Sequence, residues 1–473
     1  PTTYNIETAT FTLNNPTRTG YTLAGWTGSN GTTPQTTVTI NQGSIGDRSF
    51  TANWNAVPYN LTYDLAGGGV TTANPTTYNI ETETFTLNNP TRQGYTFAGW
   101  TGTDLDEPTM TVTIAQGSTG DRSYTATWSL PPVTYIGADG VEHTLYDYTL
   151  LEGSEEYIEY GDDYWEEDWY VVAHDVTYND GFAFFGIANL ILMDGATLTV
   201  TNVSENHSNV SSNILTIYVQ SGGTGAIVGE NTQIYSRGSM TILGGNITLS
   251  GYSHGLYSNY IMNIYGGQIS IEAESECIYA ENDVTINGGE VSATMTGNGN
   301  AICGHHVVIN GGVVTTTNQQ GYGNGIYGYY DVTINGGVVT TTNQQGYGIY
   351  GYYEVTINGG LVTANATEGA YGIGGEYSYR IITLGWTNET DRITSDSYYG
   401  TVTTVTGKAF TDGEGNYYAG TYYGNEISAL AGKTLTPYTN LDEAFHITYV
   451  INGGTMPSGY PETYTFAETV TLP

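Results

Sequence analysis

Apolar and polar residues alternate with period 2 along most of this chain, and two families of strand repeats account for the pattern. Residues 1–54 read PTTYNIETATFTLNNPTRTGYTLAGW, continuing to INQGSIGDRSFTANW; residues 75–128 read PTTYNIETETFTLNNPTRQGYTFAGW, continuing to IAQGSTGDRSYTATW. The offset is 74 throughout, so Arg18 matches Arg92, Trp26 matches Trp100, and Trp54 matches Trp128. Thr-Phe-Thr-Leu and Tyr-Thr-Ala-Thr-Trp place every second side chain on one face, which predicts half-buried strands. Gly20/Gly94 and Gly25/Gly99 are read as turns. On alternating strands the tryptophans are expected as core anchors before sugar platforms. The second copy has an extra leading strand, YNLTYDLAGGG at 59–69, which the first lacks.

The middle of the chain follows a longer period. Glycine pairs begin at Gly222, Gly244, Gly266, Gly288, Gly311, Gly336 and Gly359, at spacings of 22, 22, 22, 23, 25 and 23. The phrase V-T-I-N-G-G-x-V recurs, as in 332–339 and 355–362. A coil of this length accommodates three short strands and three turns, so a parallel β-helix of about nine coils is expected. Leu256, Ile278, Ile302, Ile326, Ile349 and Ile373 form one inward stack, and Ile286, Ile309, Ile334 and Ile357 another. Asn287, Asn310, Asn335 and Asn358 should form an amide ladder along the axis. The residues after the first aliphatic stack should alternate outward: Tyr257, Tyr279, Tyr327 and Tyr350, with Tyr329, Tyr330, Tyr352 and Tyr353 nearby. Such a row either stacks sugar rings or packs another subunit, or it stiffens the sheet by ring stacking alone.

Domain boundaries follow from these periods. Repeat modules occupy 1–54 and 59–129, an acidic lead-in and cap 130–175, the β-helix 176–405, and a C-terminal cap 406–445. NEISALAGK at 425–433 is the best helix, with Asn425 as N-cap and Gly432 as stop. Residues 446–473 restart the module: Ile447 aligns with Leu61, Pro461 with Pro75, and Tyr464 with Tyr78. Ile447, Tyr449 and Ile451 thus repeat the inward pattern of Leu61, Tyr63 and Leu65. Two explanations fit: an arbitrary boundary within a longer chain, or a head-to-tail fibre in which this strand completes residues 1–54 of another copy. The chain opens mid-pattern at Pro1 without a signal peptide, as an interior or processed piece would.

GYTFAGW followed by GSTGDRSYTATW resembles the Listeria–Bacteroides repeat family of large bacterial surface proteins. The resemblance covers about a third of the chain and implies a small β-grasp-like fold used as stalk or spacer. ITLGWTNETDRI, VTGKAFTDGEGN and ALAGKTLTP resemble the ends of β-helix domains in large adhesins, which implies an extracellular setting without assigned chemistry. The fold class is therefore all-β: a right-handed parallel β-helix solenoid of about 22–25 residues per coil, preceded by two β-grasp-like modules.

Composition narrows the partners. Nine Lys and Arg stand against 46 acids, for a net charge of −37. That charge repels phosphate backbones and anionic lipid and favours cations or basic surfaces. No run of 18 apolar residues occurs, so no membrane insertion is expected. Abundant, patterned Tyr, Thr, Val and Ile argue against disorder. Cys277 and Cys303 lie one rung and two residues apart, which places their Cα atoms about 8 Å from each other. A disulfide requires less than about 7 Å, so two free thiols are expected.

Catalytic machinery is sparse. A polysaccharide lyase needs a base beside calcium-holding carboxylates, yet the coils hold only Arg237, Arg380 and Arg392, none beside a clear acidic cluster. A glycosidase needs paired carboxylates on neighbouring rungs, and Glu276, Glu281, Asp283, Glu290, Asp331 and Glu354 mostly read as turn residues. Gly304-His305-His306 has no acid at a telling spacing. A polysaccharide-degrading enzyme is accordingly the least favoured reading. The densest polar run, LEGSEEYIEYGDDYWEEDWY, packs nine acids into 17 residues. It is either a solvated loop or a calcium site built from Glu155, Glu156, Glu159, Asp162 and Asp163, without EF-hand spacing; no other cofactor is indicated. The sequence thus points to a secreted or cell-surface protein with structural or adhesive work. Its partners would be copies of itself, neighbouring repeats of a longer chain, or polysaccharide held on the tyrosine face.

Overall fold

The computed structural model describes residues 1–154, 156–161, 163–201, 210–319, 321–440, 445–446, 461 and 463–464. They form two compact units, Pro1–Pro131 and Pro132–Pro473.

In the second repeat, five strands lie in the order Leu105–Thr109, Thr96–Gly102, Arg122–Ser129, Tyr59–Asp64, Thr77–Tyr78. The leading strand Tyr59–Asp64 runs parallel to Arg122–Ser129, with Leu61 opposite Arg122 and Asp64 opposite Thr125. A two-stranded ribbon of Phe85–Thr86 and Thr113–Ile114 accompanies this sheet. That ribbon is a separate sheet, and no helix occurs among the described residues of the repeats. Trp100 is fully buried with Leu61, Tyr78, Ile114 and Tyr124, and its Nε1–H donates to Asn89 Oδ1 at 3.0 Å. The core-anchor expectation describes this residue well. Gly99 corrects the turn reading. It lies inside a strand, where a Cβ would meet the backbone nitrogen of Thr109 at 2.7 Å, and its φ of +128° is one that glycine adopts readily.

The first repeat keeps a three-stranded sheet, Gly31–Gln35, Tyr21–Gly28, Phe50–Ala56. The outer edge of Phe50–Ala56, where the second repeat seats its leading strand, is unpaired among the described residues. A cavity of about 570 Å³ lined by Tyr4, Ile6, Phe11, Leu13, Ile40 and Phe50 opens beside it. Trp26 and Phe50 are half-buried, whereas their counterparts Trp100 and Tyr124 are buried.

The second unit is a β-solenoid of about 11 turns. Inward columns form its core: the expected stack Ile286, Ile309, Ile334, Ile357, and three more. One runs Leu256, Ile278, Ile302, Ile326, Ile349, Ile373. A second runs Met262, Val284, Val307, Val332, Val355, Ile382. The third runs Ile269, Val291, Val314, Val339, Val362, Ile393. The second glycine of each pair turns the corner at positive φ; at Gly337 (φ +87°) a Cβ would meet the Gly312 carbonyl oxygen at 2.6 Å. The amide ladder is present: Asn310 donates to Asn287, Asn335 to Asn310, and Asn358 to Asn335, at 2.9, 2.8 and 2.9 Å.

Two boundaries differ from the sequence reading. The solenoid opens at Thr149–Leu150, which pairs with Glu167–Val172, while Ile158–Tyr160 pairs with Phe182–Phe184. The acidic run is therefore part of the first coil and not a lead-in, and counting glycine pairs missed the early coils that lack them. The helix at 425–433 is a 3-10 helix, Gly424–Ala429, with Tyr423 and not Asn425 at its N-cap. The 3-10 form is typical of so short a connector, which here links Thr421–Tyr422 to Thr434–Tyr438. Around it, Thr421–Tyr422 pairs antiparallel to Thr401–Thr404, and Thr434–Tyr438 to Arg392–Ser395, covering sheet edges of the last coil.

Phe445–His446 pairs antiparallel with Thr463–Tyr464, Phe445 opposite Tyr464. This is the register of Tyr59 opposite Tyr78 in the second repeat. Ile447, Tyr449 and Ile451 lie outside the described residues, as do Glu155 and Asp162. Both cysteines are free and buried, and burial pushes the Cys277 thiol up to about 12.

Candidate functional site

The aromatic face grows out of the first inward column. Residues following its aliphatics stand in one outward register: Tyr235, Tyr257, Tyr279, Cys303, Tyr327, Tyr350, Gly374, Tyr399. Tyr257 and Tyr279 pack at 4.9 Å between centroids, and Tyr327 and Tyr350 at 5.2 Å with planes 18° apart. Cys303 breaks the row, and Gly374 ends it. A Cβ at Gly374 would come within 2.5 Å of the Tyr347 ring, which turns aside to pack on Tyr350 and Tyr371.

This geometry corrects one expectation. Tyr257, Tyr279 and Tyr327 are half-buried and Tyr350 is buried, so this row is not an open platform. At the ~4.8 Å rung spacing these rings pair with each other, Tyr257 with Tyr279 and Tyr327 with Tyr350, which takes up ring faces a sugar would need. Desolvation raises the phenol pKa values of Tyr279, Tyr327 and Tyr350, that of Tyr327 to about 12. The hydroxyls therefore stay protonated and can both donate and accept.

A second column lies beside the first and is more open. His306 stacks on Tyr330 at 5.3 Å, and Tyr330 on Tyr353 at 5.8 Å with planes 11° apart. Tyr329, Tyr330 and Tyr353 are 45%, 46% and 46% exposed, while Tyr352 is half-buried. His306 Nδ1 lies 2.7 Å from Asp331 Oδ2. This is the acid that sequence spacing hid, because it sits one rung away and 25 residues along.

Above Tyr353 the column ends on residues that sequence reasoning passed over. The Arg380 guanidinium lies 4.4 Å from the Tyr353 centroid, and 5.2, 5.6 and 4.9 Å from those of Tyr352, Tyr377 and Tyr379. Tyr377 and Tyr379 are parallel at 5.3 Å. The Glu376 carboxylate accepts hydrogen bonds from the Tyr352 and Tyr377 phenols, which raises both phenol pKa values. Among the described residues no carboxylate forms an ion pair with Arg380. The run Gly-Glu-Tyr-Ser-Tyr-Arg at 375–380, which sets an arginine two residues from an aromatic pair, was the available signal.

At the other end of the first row, a concavity of about 300 Å³ is lined by Gln233, Tyr235, His254 and Tyr257. His254 Nε2 lies 3.0 Å from Glu276. Glu354 is also engaged locally, accepting from Thr356 and Thr383 at 3.0 and 3.1 Å. In the first coil, Glu156, Glu159 and Asp163 are exposed. Among the described residues no three His, Cys, Asp or Glu side chains converge on a metal position. The same loop carries Trp165, 77% exposed beside Tyr164.

Residues 148–370 match the family model described as carbohydrate-binding domain-containing protein. Residues 1–52 and 59–122 match the Listeria-Bacteroides repeat domain. No curated protein and no solved structure matches the chain. No helix is long and apolar enough to cross a membrane.

Proposed function

We propose that this chain is an extracellular protein whose solenoid binds polysaccharide through its aromatic face. The observation that carries the reading is the column His306–Tyr330–Tyr353, with half-exposed rings, inside the region matched by the carbohydrate-binding description. Aromatic rings pair with the C–H faces of pyranoses, and phenols and imidazoles supply hydrogen bonds to their hydroxyls. The proposal assigns no catalytic step; in its support, the acids Glu276, Asp331 and Glu354 are each engaged by a neighbouring side chain.

The test is a glycan array probed with the full chain and with Tyr329→Ala and Tyr330→Ala variants. Tyr350 is a poorer choice, because it is buried and its removal would damage packing. Binding by the wild type that drops in both variants, at unchanged melting temperature, is expected. Wild-type binding that survives both substitutions would place the glycan elsewhere.

A structural role in a large surface adhesin, or in a head-to-tail fibre, is the second reading. It is favoured by the unpaired edge of Phe50–Ala56 and by the Phe445–His446 hairpin in the register of the second repeat. A strand of the 447–451 pattern, from a neighbouring repeat or another copy, would fill that edge. Adding a 445–466 peptide should stabilise the first repeat against hydrogen exchange. No added protection at residues 50–56 would remove this reading.

A further inference from the structure

The turn 375–380 holds two buried polar atoms without partners: Arg380 Nε, and Glu376 Oε2, one oxygen of the carboxylate that the Tyr352 and Tyr377 phenols approach. An unmet buried donor or acceptor is destabilising, and here two occur in one tyrosine cluster. The turn itself is firmly set. Arg380 N–H donates to the Tyr377 carbonyl at 2.9 Å, and Gly375 N–H to the Tyr399 carbonyl at 3.0 Å. A Cβ at Gly375 would press on Arg380 Cβ at 2.7 Å, so the close turn depends on glycine. Over this floor stand Tyr353, Tyr377 and Tyr379, at 46%, 42% and 64% exposure. Exposed rings change rotamer within nanoseconds, which opens a path to the atoms beneath.

The chemistry of the two orphan atoms selects the ligand class. A carboxylated sugar would satisfy Arg380 but meet the Glu376 carboxylate. A protonated amino sugar would satisfy Glu376 but meet the guanidinium. A neutral hydroxyl both donates and accepts, and serves each atom without repulsion. We propose that Glu376 and Arg380 are the polar floor of a subsite for one neutral pyranose. Tyr353 and Tyr379 supply its apolar walls, and it continues the aromatic column beyond residue 370, where the carbohydrate-binding match stops. The proposal rests on the glycan-binding reading above and names its ligand class.

The experiment is isothermal titration of the full chain with maltohexaose, cellohexaose and mannohexaose, set against hexagalacturonate and a fully deacetylated glucosamine hexamer. A neutral hexasaccharide is expected to bind better than either charged one. Glu376→Gln and Arg380→Gln should each weaken that binding about tenfold, the scale of a lost hydrogen bond to a charged group. Tyr379→Ala keeps the test open if those variants unfold, since so exposed a ring contributes little to packing; it should weaken binding with an unchanged melt. Preference for a charged sugar overturns the subsite. So does wild-type affinity in all three variants while Tyr330→Ala loses binding, and in that case the aromatic-face reading stands. Absence of binding to every neutral sugar, here and on the array, removes both.

Discussion

The amide ladder allows a stability prediction whose size follows from position. Asn335 sits in its interior, donating to Asn310 at 2.8 Å and accepting from Asn358 at 2.9 Å. Asn287 stands at the end and accepts only from Asn310, at 2.9 Å, among these four amides. Replacing either by Ala removes those bonds while leaving the rung's backbone ladder intact. A net hydrogen bond contributes about 0.5–1.5 kcal/mol, and exposure of Asn335 places its bonds at the low end, since water can replace the partner. Asn335→Ala should therefore cost about 1 kcal/mol and Asn287→Ala about half that. Urea titration read through hydrogen exchange of the flanking rungs is the suitable assay, because stacked repeats need not unfold in one step. Asn335→Asp sharpens the test. Its carboxylate accepts from Asn358 but cannot donate to Asn310, and it regains a donor only when protonated. This variant should be less stable than Asn335→Ala at neutral pH and recover as pH falls through the carboxylate range. Equal losses at positions 287 and 335, or no recovery in acid, would refute the view that the ladder acts through its amide bonds.

Asp391 offers a pH test. Burial raises its pKa, but hydrogen bonds from Asn388, Thr387 and Gly360 outweigh burial and leave it lowered. A lowered folded-state pKa gives stability that is present above the unfolded value of about 3.9 and is lost as pH falls through the folded one; Asp391→Asn should flatten the acid limb of a melting-temperature profile. Burial and a raised pKa make Cys277 unreactive, so a maleimide should label neither cysteine before denaturant is added; labelling of the native chain would contradict their burial. If the 152–168 run holds calcium, chelator should lower the melting temperature, and an unchanged melt leaves the solvated-loop reading. A fall reversed by added calcium would install an ion on the 152–168 run.

The repeat periods carried most of the architecture. The 74-residue offset located the modules, and the glycine pairs located the coils. The positions of Ile278, Ile302 and Ile326, and the facing of Asn287, Asn310 and Asn335, followed directly because each rung stacks on one nearly identical to it. In a solenoid, sequence period and spatial neighbour coincide, so local pattern fixes long-range register. Tertiary structure decided whatever depends on departures from that period. The first coils lack the glycine pair and were placed only by strand pairing, which drew the acidic run into the solenoid. Tyr350 is buried because Gly374 on the next rung leaves space into which Tyr347 turns, and no alternation rule registers a ring arriving from a neighbouring turn. Asp331 meets His306, and Arg380 caps Tyr353, across rungs whose turns differ in length. The period sets where backbones stack; where long side chains end is set by the volumes of the residues around them, and those exist only once the coils have closed.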